Sequence, residues 1–137
     1  MPSARLPIDV RSVSSARSFL RRTLEQYGLQ SEFVPHAAVR SVEDAELMLS
    51  ELVTNAVRHT RSLLQLEITL DGSTLRVAVV DDAPGVPIRR TSDHGATEGR
   101  GLAIVDTLAD RWGIAPGAGR KSVWFDVTLP VGLWTGG

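Results

Sequence analysis

The sequence contains no cysteine, which excludes disulfides and thiolate metal sites. It has no apolar run long enough to serve as a secretory signal or a membrane span, so a cytoplasmic protein with no membrane partner is expected. Charge of neither sign dominates: 15 basic residues against 16 acidic ones leave a formal net charge of −1. With no basic stripe there is no electrostatic footprint for nucleic acid, and direct nucleic-acid binding is not expected. Lysine is nearly missing, since Lys121 is the one lysine among the basic residues, a skew that carries no functional weight by itself. Internal repeats and low-complexity blocks are also lacking. What remains is a chain of 137 residues, 42% hydrophobic and 23% charged, the composition of an ordinary globular protein. One domain over residues 1–137 accounts for that length.

The apolar pattern divides the chain into elements. "ARLPIDV" reads as an edge strand, where Pro7 is tolerable because no ladder hydrogen bond is needed. From Ser12 to Tyr27, Val13, Ala16, Phe19, Leu20, Leu24 and Tyr27 recur at helical spacing, with Ser12 as N-cap and Gly28 as stop. Residues 29 to 40, which include Pro35, read as a connection. "SVEDAELMLSELVTNAVRHT" is a second amphipathic helix, capped by Ser41, with Glu43 and Asp44 in a first turn where the helix dipole favours negative charge. "LLQLEITL" and "LRVAVVDD" flank the turn sequence "DGS" and should form an antiparallel hairpin. Residues 83 to 101 have no apolar period, and a structureless stretch of that length suggests a functional loop. "GLAIVDTLADRW" restores helical spacing and ends at Gly113. A Gly/Pro-rich turn then leads to the last strand, "SVWFDVTLP", and a tail, "VGLWTGG". The order predicts a two-layer α/β sandwich, a mostly antiparallel sheet with helices on one face.

Three segments carry candidate chemistry. On the second helix Leu49, Leu52, Val53, Ala56 and Val57 form the core stripe, while Glu51 and Asn55 are related by i, i+4 and share another face. An arbitrary Glu-x-x-x-Asn pair is most often a solvent-facing stripe. Here it is accompanied by two loop-forming segments, "DDAPG" at 81–85 and "GRGLAIVD" at 99–106, of the kind from which folds present ligand-binding groups. Asp81 follows "LRVAVV", which carries its carboxylate to a strand end; a turn-forming and a functional aspartate remain equally open there. Gly99 and Gly101 precede a helix, so backbone N–H groups at the positive end of its dipole are able to meet a phosphate, although such a pair is more often a tight loop. Two phosphate motifs are excluded. "GAGRKS" fails as a P-loop because no glycine precedes Lys121 and a strand follows, and "GRGLAI" fails as a dinucleotide fingerprint because Ile104 stands where the third glycine belongs. His36 and His94 belong to no pattern.

In their order and spacing, "ELVTNAVRHT", "VVDDAPG" and "GRGLAIVD", closed by "GRKSVWFDVTLP", resemble the N, G1, G2 and last-strand boxes of the GHKL ATP-binding superfamily. The resemblance is to the small bacterial anti-sigma-factor serine kinases and their actinobacterial relatives, and it spans about residues 5–130. It implies a Bergerat-type fold that binds ATP with Mg²⁺. Asn55 would be the Mg²⁺ ligand, one carbonyl oxygen sufficing because Mg²⁺ commonly keeps waters and phosphate oxygens. Glu51 would be the general base that accepts the proton of a serine hydroxyl or a water. His59, one turn beyond Asn55, would line the pocket edge. Asp81 would accept the adenine amino group, a preference against a base that bears a carbonyl there. Gly85 matches the later G1 glycine, whereas Ala83 and Pro84 depart from the usual pattern. Gly99 and Gly101 match the G2 glycines, with Arg100 between them to reach a phosphate and residues 86–98 as the ATP lid. Ser122 would stand near adenine, where relatives carry threonine.

The activity so implied is that of a serine/threonine protein kinase that restrains a sigma factor and phosphorylates an anti-sigma factor antagonist. The alternative is a nucleotide-gated protein-binding regulator with little transfer activity. A histidine kinase fragment, a repair ATPase or a chaperone ATPase is disfavoured because the chain lacks their additional domains. Partners would be proteins, and because relatives are often dimers, a homodimer through the first helix or the sheet edge is also in view.

Overall fold

In β2 (Leu64–Asp71), Leu64, Leu66 and Ile68 are buried, and the residues between them are half-buried. That alternation puts one apolar row on one side of the strand. A computed structural model describes residues 2–27, 36–84 and 97–129, apart from the side chains of 36, 37 and 97–101. Within it β2 pairs antiparallel with β3 (Thr74–Asp81) along its whole length, from Leu64 opposite Asp81 to Asp71 opposite Thr74. The "DGS" hairpin is thus confirmed. Its two-residue loop begins at Gly72, whose φ of 61° lies in the left-handed region where glycine alone is unstrained.

The elements run β1 (Ser3–Arg5), α1 (Ser12–Gln26), α2 (His36–His59), β2, β3, α3 (Thr97–Leu108), β4 (Arg111–Gly117) and β5 (Arg120–Thr128). The strands form one sheet in the order β1-β2-β3-β5-β4, and every neighbouring pair is antiparallel. The sheet is therefore antiparallel throughout rather than mixed. Ile68, Val77 and Phe125 are cross-strand neighbours, as are Leu66, Val79 and Val123. All six join Leu20, Met48, Leu49, Val53, Leu102 and Val105 of the helices in one core. The three helices consequently cover the same face, with α2 touching both α1 and α3.

Several boundaries differ from the sequence reading. The strand expected in "ARLPIDV" is the short edge strand β1, because Pro7 has no N–H with which to continue a ladder. At the start of α1 the cap position is Arg11, and Ser12 is a buried helical residue. Asp9 takes the Arg11 N–H at 2.8 Å. The expected stop at Gly28 lies outside the described residues. Helix α2 begins at His36, so Ser41, Glu43 and Asp44 are helical residues beyond its first turn. The early start extends the buried stripe back to Ala38. The sequence reading also missed Glu46, which accepts hydrogen bonds from Arg17 and Arg21 and clips α1 to α2.

The largest correction is β4. Trp112 and Gly113 were expected to end the third helix, but that helix stops at Leu108 and Arg111–Gly117 pairs with β5 as the second edge strand. Pro116 is tolerated because β4 is an edge. Gly113 lies beneath Trp124, where a Cβ would come within 2.9 Å of the indole. On this outer face Arg76 stacks over Trp124 at 4.1 Å from the ring centroid, and Asp126 joins Arg76 to Arg111. No helix among the described residues is long and apolar enough to cross a membrane.

Phe125 is fully buried at the centre of the sheet, and Phe125→Ala should lower unfolding free energy by about 3–5 kcal/mol. Urea denaturation followed by circular dichroism measures this; a loss below about 1 kcal/mol would contradict the assigned core.

Candidate functional site

The candidate residues converge where the C-terminal half of α2 meets the ends of β3 and β5. Helix α2 is 24 residues long, about 36 Å. As far as Leu49 it is committed to the core through Ala38, Ala45, Met48 and Leu49. Further along, Leu52, Val53 and Ala56 continue the buried stripe, while Glu51 and Asn55 are half-buried beside it. One turn beyond, His59 is exposed at the last helical position. Asn55 is engaged in interactions of its own, but its buried Oδ1 accepts no hydrogen bond among the described residues. That atom is a hard neutral oxygen of the type Mg²⁺ takes. No group of three or more His, Asp or Glu able to hold a metal occurs among the described residues, so any cation here would depend on few protein ligands.

Asp82 ties this helix end to the sheet. It follows β3 directly, and its Oδ1 accepts from the Thr60 hydroxyl at 2.7 Å and the Arg61 N–H at 2.7 Å. Oδ2 accepts from the Ser62 N–H at 3.0 Å and the Ser62 hydroxyl at 2.5 Å. In return the Asp82 N–H donates to the Thr60 hydroxyl oxygen at 3.3 Å. Donors from Ser62 and Thr60, then the backbone N–H groups, hold the Asp82 carboxyl far below the usual carboxylate range. Helix α2 ends at His59, four residues after Asn55, and β3 ends at Asp81, so the knot ties together the two element ends that carry these candidates.

Asp81 is 3% exposed. Alternation along β3 puts it on the same face as Leu75, Val77 and Val79, the face covered by helices. Its Oδ1 accepts the Ala83 N–H at 2.9 Å and Lys121 Nζ at 3.0 Å, and the same ammonium donates to the Ala83 carbonyl at 3.2 Å. Lys121 is the cross-strand partner of Asp81, whereas Ser122 pairs with Val80. Ser122 therefore belongs to the opposite face, across the sheet from Asp81, and the structure does not bring it to the candidate site. The residue it brings there is Lys121, which is distinguished in the sequence only by its rarity.

Gly99 and Gly101 also differ from expectation. Helix α3 begins at Thr97, which puts both glycines inside it and takes the last two residues of the expected 86–98 lid into its first turn. Glycine weakens a helix without forbidding it, and first-turn N–H groups have no intrahelical acceptors to lose. Those orphan donors remain suited to an anion. Gly85, the Arg100 side chain and lid residues 86–96 lie outside the described residues.

The arrangement thus combines a buried acceptor at the end of β3, a carboxylate and an amide oxygen one turn apart on α2, and a helix N-terminus within α3. Residues 6–126 match the family described as Histidine kinase-like ATPase domain. The chain belongs to that family. It falls in the GHKL superfamily anticipated from the motifs, and its antiparallel sheet with helices on one face is the fold of this ATPase domain. The domain is 35% identical over 81 residues to an uncharacterized protein of Streptomyces coelicolor, covering 55% of this chain and 76% of that one. Among solved structures it resembles the RsbU and RsbW domains of Rv1364c from Mycobacterium tuberculosis, with a TM-score of 0.63, 22% identity, and coverage of 94% of this chain and 33% of that chain. A blue-light activated histidine kinase of Erythrobacter litoralis gives a TM-score of 0.53 and 28% identity over 70% of this chain and 32% of that chain. The ATPase domain spans about a third of the length of these two structures.

Because the Asp82 carboxyl is depressed when folded, its contribution is present above the unfolded carboxylate pKa of about 3.9 and is lost as pH falls below it. Asp82→Asn should unfold at lower urea than the wild type at pH 7 and pH 5, and the gap should begin to narrow as pH falls below about 4, the greater part of it persisting at pH 3. A gap that stays constant across that range would show that the knot is not held by the ionised carboxylate.

Proposed function

We propose that the chain binds ATP with Mg²⁺ and acts as an anti-sigma-factor serine/threonine kinase that phosphorylates an antagonist protein. The observation that carries this reading is Asp81, a buried carboxylate at the end of β3 on the helix-covered face of the sheet. Adenine would donate its amino group to Asp81. The Asn55 Oδ1 fits one position on Mg²⁺, and the ion would supply charge neutralisation at the phosphates. First-turn N–H groups of α3, around Gly99 and Gly101, would hold phosphate oxygens, a task the family resemblance shares with Gly85 and Arg100, and His59 would line the rim. Ser122 has no part in this arrangement, because it lies on the other face of the sheet.

In the transfer step the serine oxygen bonds to the γ-phosphorus as the bond to the bridging oxygen breaks. ADP leaves, and the hydroxyl proton passes to Glu51. Glu51 lies one helical turn from Asn55, so base and metal ligand address the same phosphoryl group. The pairing of RsbW with RsbU domains in the Mycobacterium tuberculosis chain supports a regulatory setting with protein partners, here a sigma factor and its antagonist. A nucleotide-gated binding protein with little transfer activity is the second reading. The departures at Ala83 and Pro84 from the usual glycine pattern favour it.

Calorimetric titration with ATP and ADP, with and without Mg²⁺, tests the binding. The wild type should bind ATP more tightly with Mg²⁺, and Asn55→Ala should lose most of that metal-dependent gain, about tenfold in Kd or more, which is about 1.4 kcal/mol. No wild-type binding at millimolar nucleotide would refute the site. Glu51→Gln should keep ATP affinity while phosphate release or transfer falls by about 10²–10⁴. Unchanged turnover in that variant would remove Glu51 as the base and favour the second reading.

A further inference from the structure

Lys121 is placed where lysine is seldom found. Its side chain is 10% exposed, beside that of Asp81 at 5%, and lysine is almost never buried without such a partner. Packed apolar residues commonly serve a buried ion pair's position as well or better, so stability alone is a weak reason for the pair.

Three hydrogen bonds join Lys121 to the start of the segment that follows β3. The Ala83 N–H donates to Asp81 Oδ1 at 2.9 Å, Lys121 Nζ donates to the same oxygen at 3.0 Å, and the ammonium donates again to the Ala83 carbonyl at 3.2 Å. Asp81, Ala83 and Lys121 thus close a triangle. The first bond alone is the local turn that an aspartate makes with the residue two positions on. The other two come from β5, whose register against β3 is set by the sheet, so the carboxylate is anchored to a second rigid element.

Both donors of the triangle fall on Oδ1. Oδ2 takes no hydrogen bond from the described residues and is not among their fully buried unpartnered atoms, so it keeps open surface. The triangle therefore decides which oxygen is offered and where it stands.

That position matters for a purine base. Adenine has an amino group at C6 and a bare nitrogen at N1, whereas hypoxanthine has a carbonyl at C6 and an N–H at N1. An acceptor fixed opposite the C6 substituent meets a donor in adenine and a lone pair in hypoxanthine. An acceptor free to shift by one ring position would take the N1–H instead, and the distinction would be lost. Discrimination thus depends on the carboxylate being held still as well as on its chemistry.

We propose that Lys121 is a positioning residue for base selection: by closing the triangle with Asp81 and Ala83 it holds Oδ2 in one place and confines the site to 6-aminopurine nucleotides. The inference rests on the nucleotide-binding reading above, to which it adds that Asp81 alone does not suffice for the preference.

The test is calorimetric titration of the full chain with MgATP and MgITP, whose bases differ only at C6 and N1, in the wild type and in Lys121→Met. The wild type should bind MgATP at least about tenfold more tightly than MgITP, the usual strength of one hydrogen bond to a charged group. Lys121→Met should lower that ratio by about tenfold, because the released carboxylate follows either base. The chain has no cysteine, so Lys121→Cys carries a single thiol; its aminoethylation rebuilds an ammonium of nearly lysine length and should restore the wild-type ratio. If Lys121→Met does not fold, Lys121→Gln takes its place in the same comparison. An unmoved ratio in a folded variant, or loss of both nucleotides together, makes Lys121 a structural residue and overturns the proposal, as does a wild type that binds MgITP as tightly as MgATP; in each case wild-type ATP binding still stands. Failure of the wild type to bind either nucleotide overturns the nucleotide-binding reading and this inference with it.

Discussion

The arrangement of the site depends on the Asp82 knot. A helix and a strand that meet at a shared end are free to splay unless something spans the junction, and backbone pairing does not do so here because α2 and β3 belong to different layers. Asp82 spans it with one side chain. Two hydroxyls and two backbone N–H groups from residues 60–62 converge on its oxygens. The residues with candidate chemistry lie immediately on either side: Asp81 before the knot on the strand, Asn55 and His59 before it on the helix. The carboxylate in turn satisfies the backbone N–H groups of Arg61 and Ser62, just past the end of the helix. The same bonds thus complete the local structure and set the spacing of the two elements.

The other constraint is the division of labour along α2. A helix with one buried stripe has to turn its remaining faces to neighbours or solvent. Over its first half α2 is gripped by α1 through the core and through Glu46, held by Arg17 and Arg21. Nearer its C-terminus the core stripe persists, but the adjoining face carries Glu51 and Asn55. Rigid anchoring at one end and functional groups at the other suit a site whose polar atoms must be held in place before a ligand arrives. Residues 97–108 bring a third element against the same helix.

Much of this was legible in the residues. The alternation through Leu64, Leu66 and Ile68, and the "DGS" turn, suffice for the hairpin, and the stripe through Leu49, Val53 and Ala56 suffices for α2. Asp81 stood out because it ends an apolar run. Other features depend on contacts between residues far apart in the chain. Asp82 looks like a second turn aspartate until Thr60 and Ser62 are brought to it from 20 or more positions away. β4 carries Gly113, Pro116 and Gly117, the residues that usually break a pattern, and it exists as a strand because β5 offers a free edge and Trp124 requires a bare backbone beneath it. Lys121 is 40 positions from Asp81, and only sheet pairing makes them neighbours. Ser122 was misplaced for a related reason: resemblance aligned a hydroxyl by sequence, whereas the pleat decides which of two adjacent residues faces the helices.

The pleat has a further consequence. Moving β5 by a single residue against β3 would swing Lys121 to the outer face and deliver Ser122 to Asp81 in its place, so a neutral hydroxyl would stand where an ammonium does. It would also turn Val123, Phe125 and Val127 out of the core and draw Asp126 inward, away from Arg76 and Arg111. The apolar row and the outer ion pairs therefore resist the same slip from opposite sides. The electric charge beside Asp81 is in this sense a matter of parity, set by whether an odd or an even position of β5 is in step with the hydrophobic core.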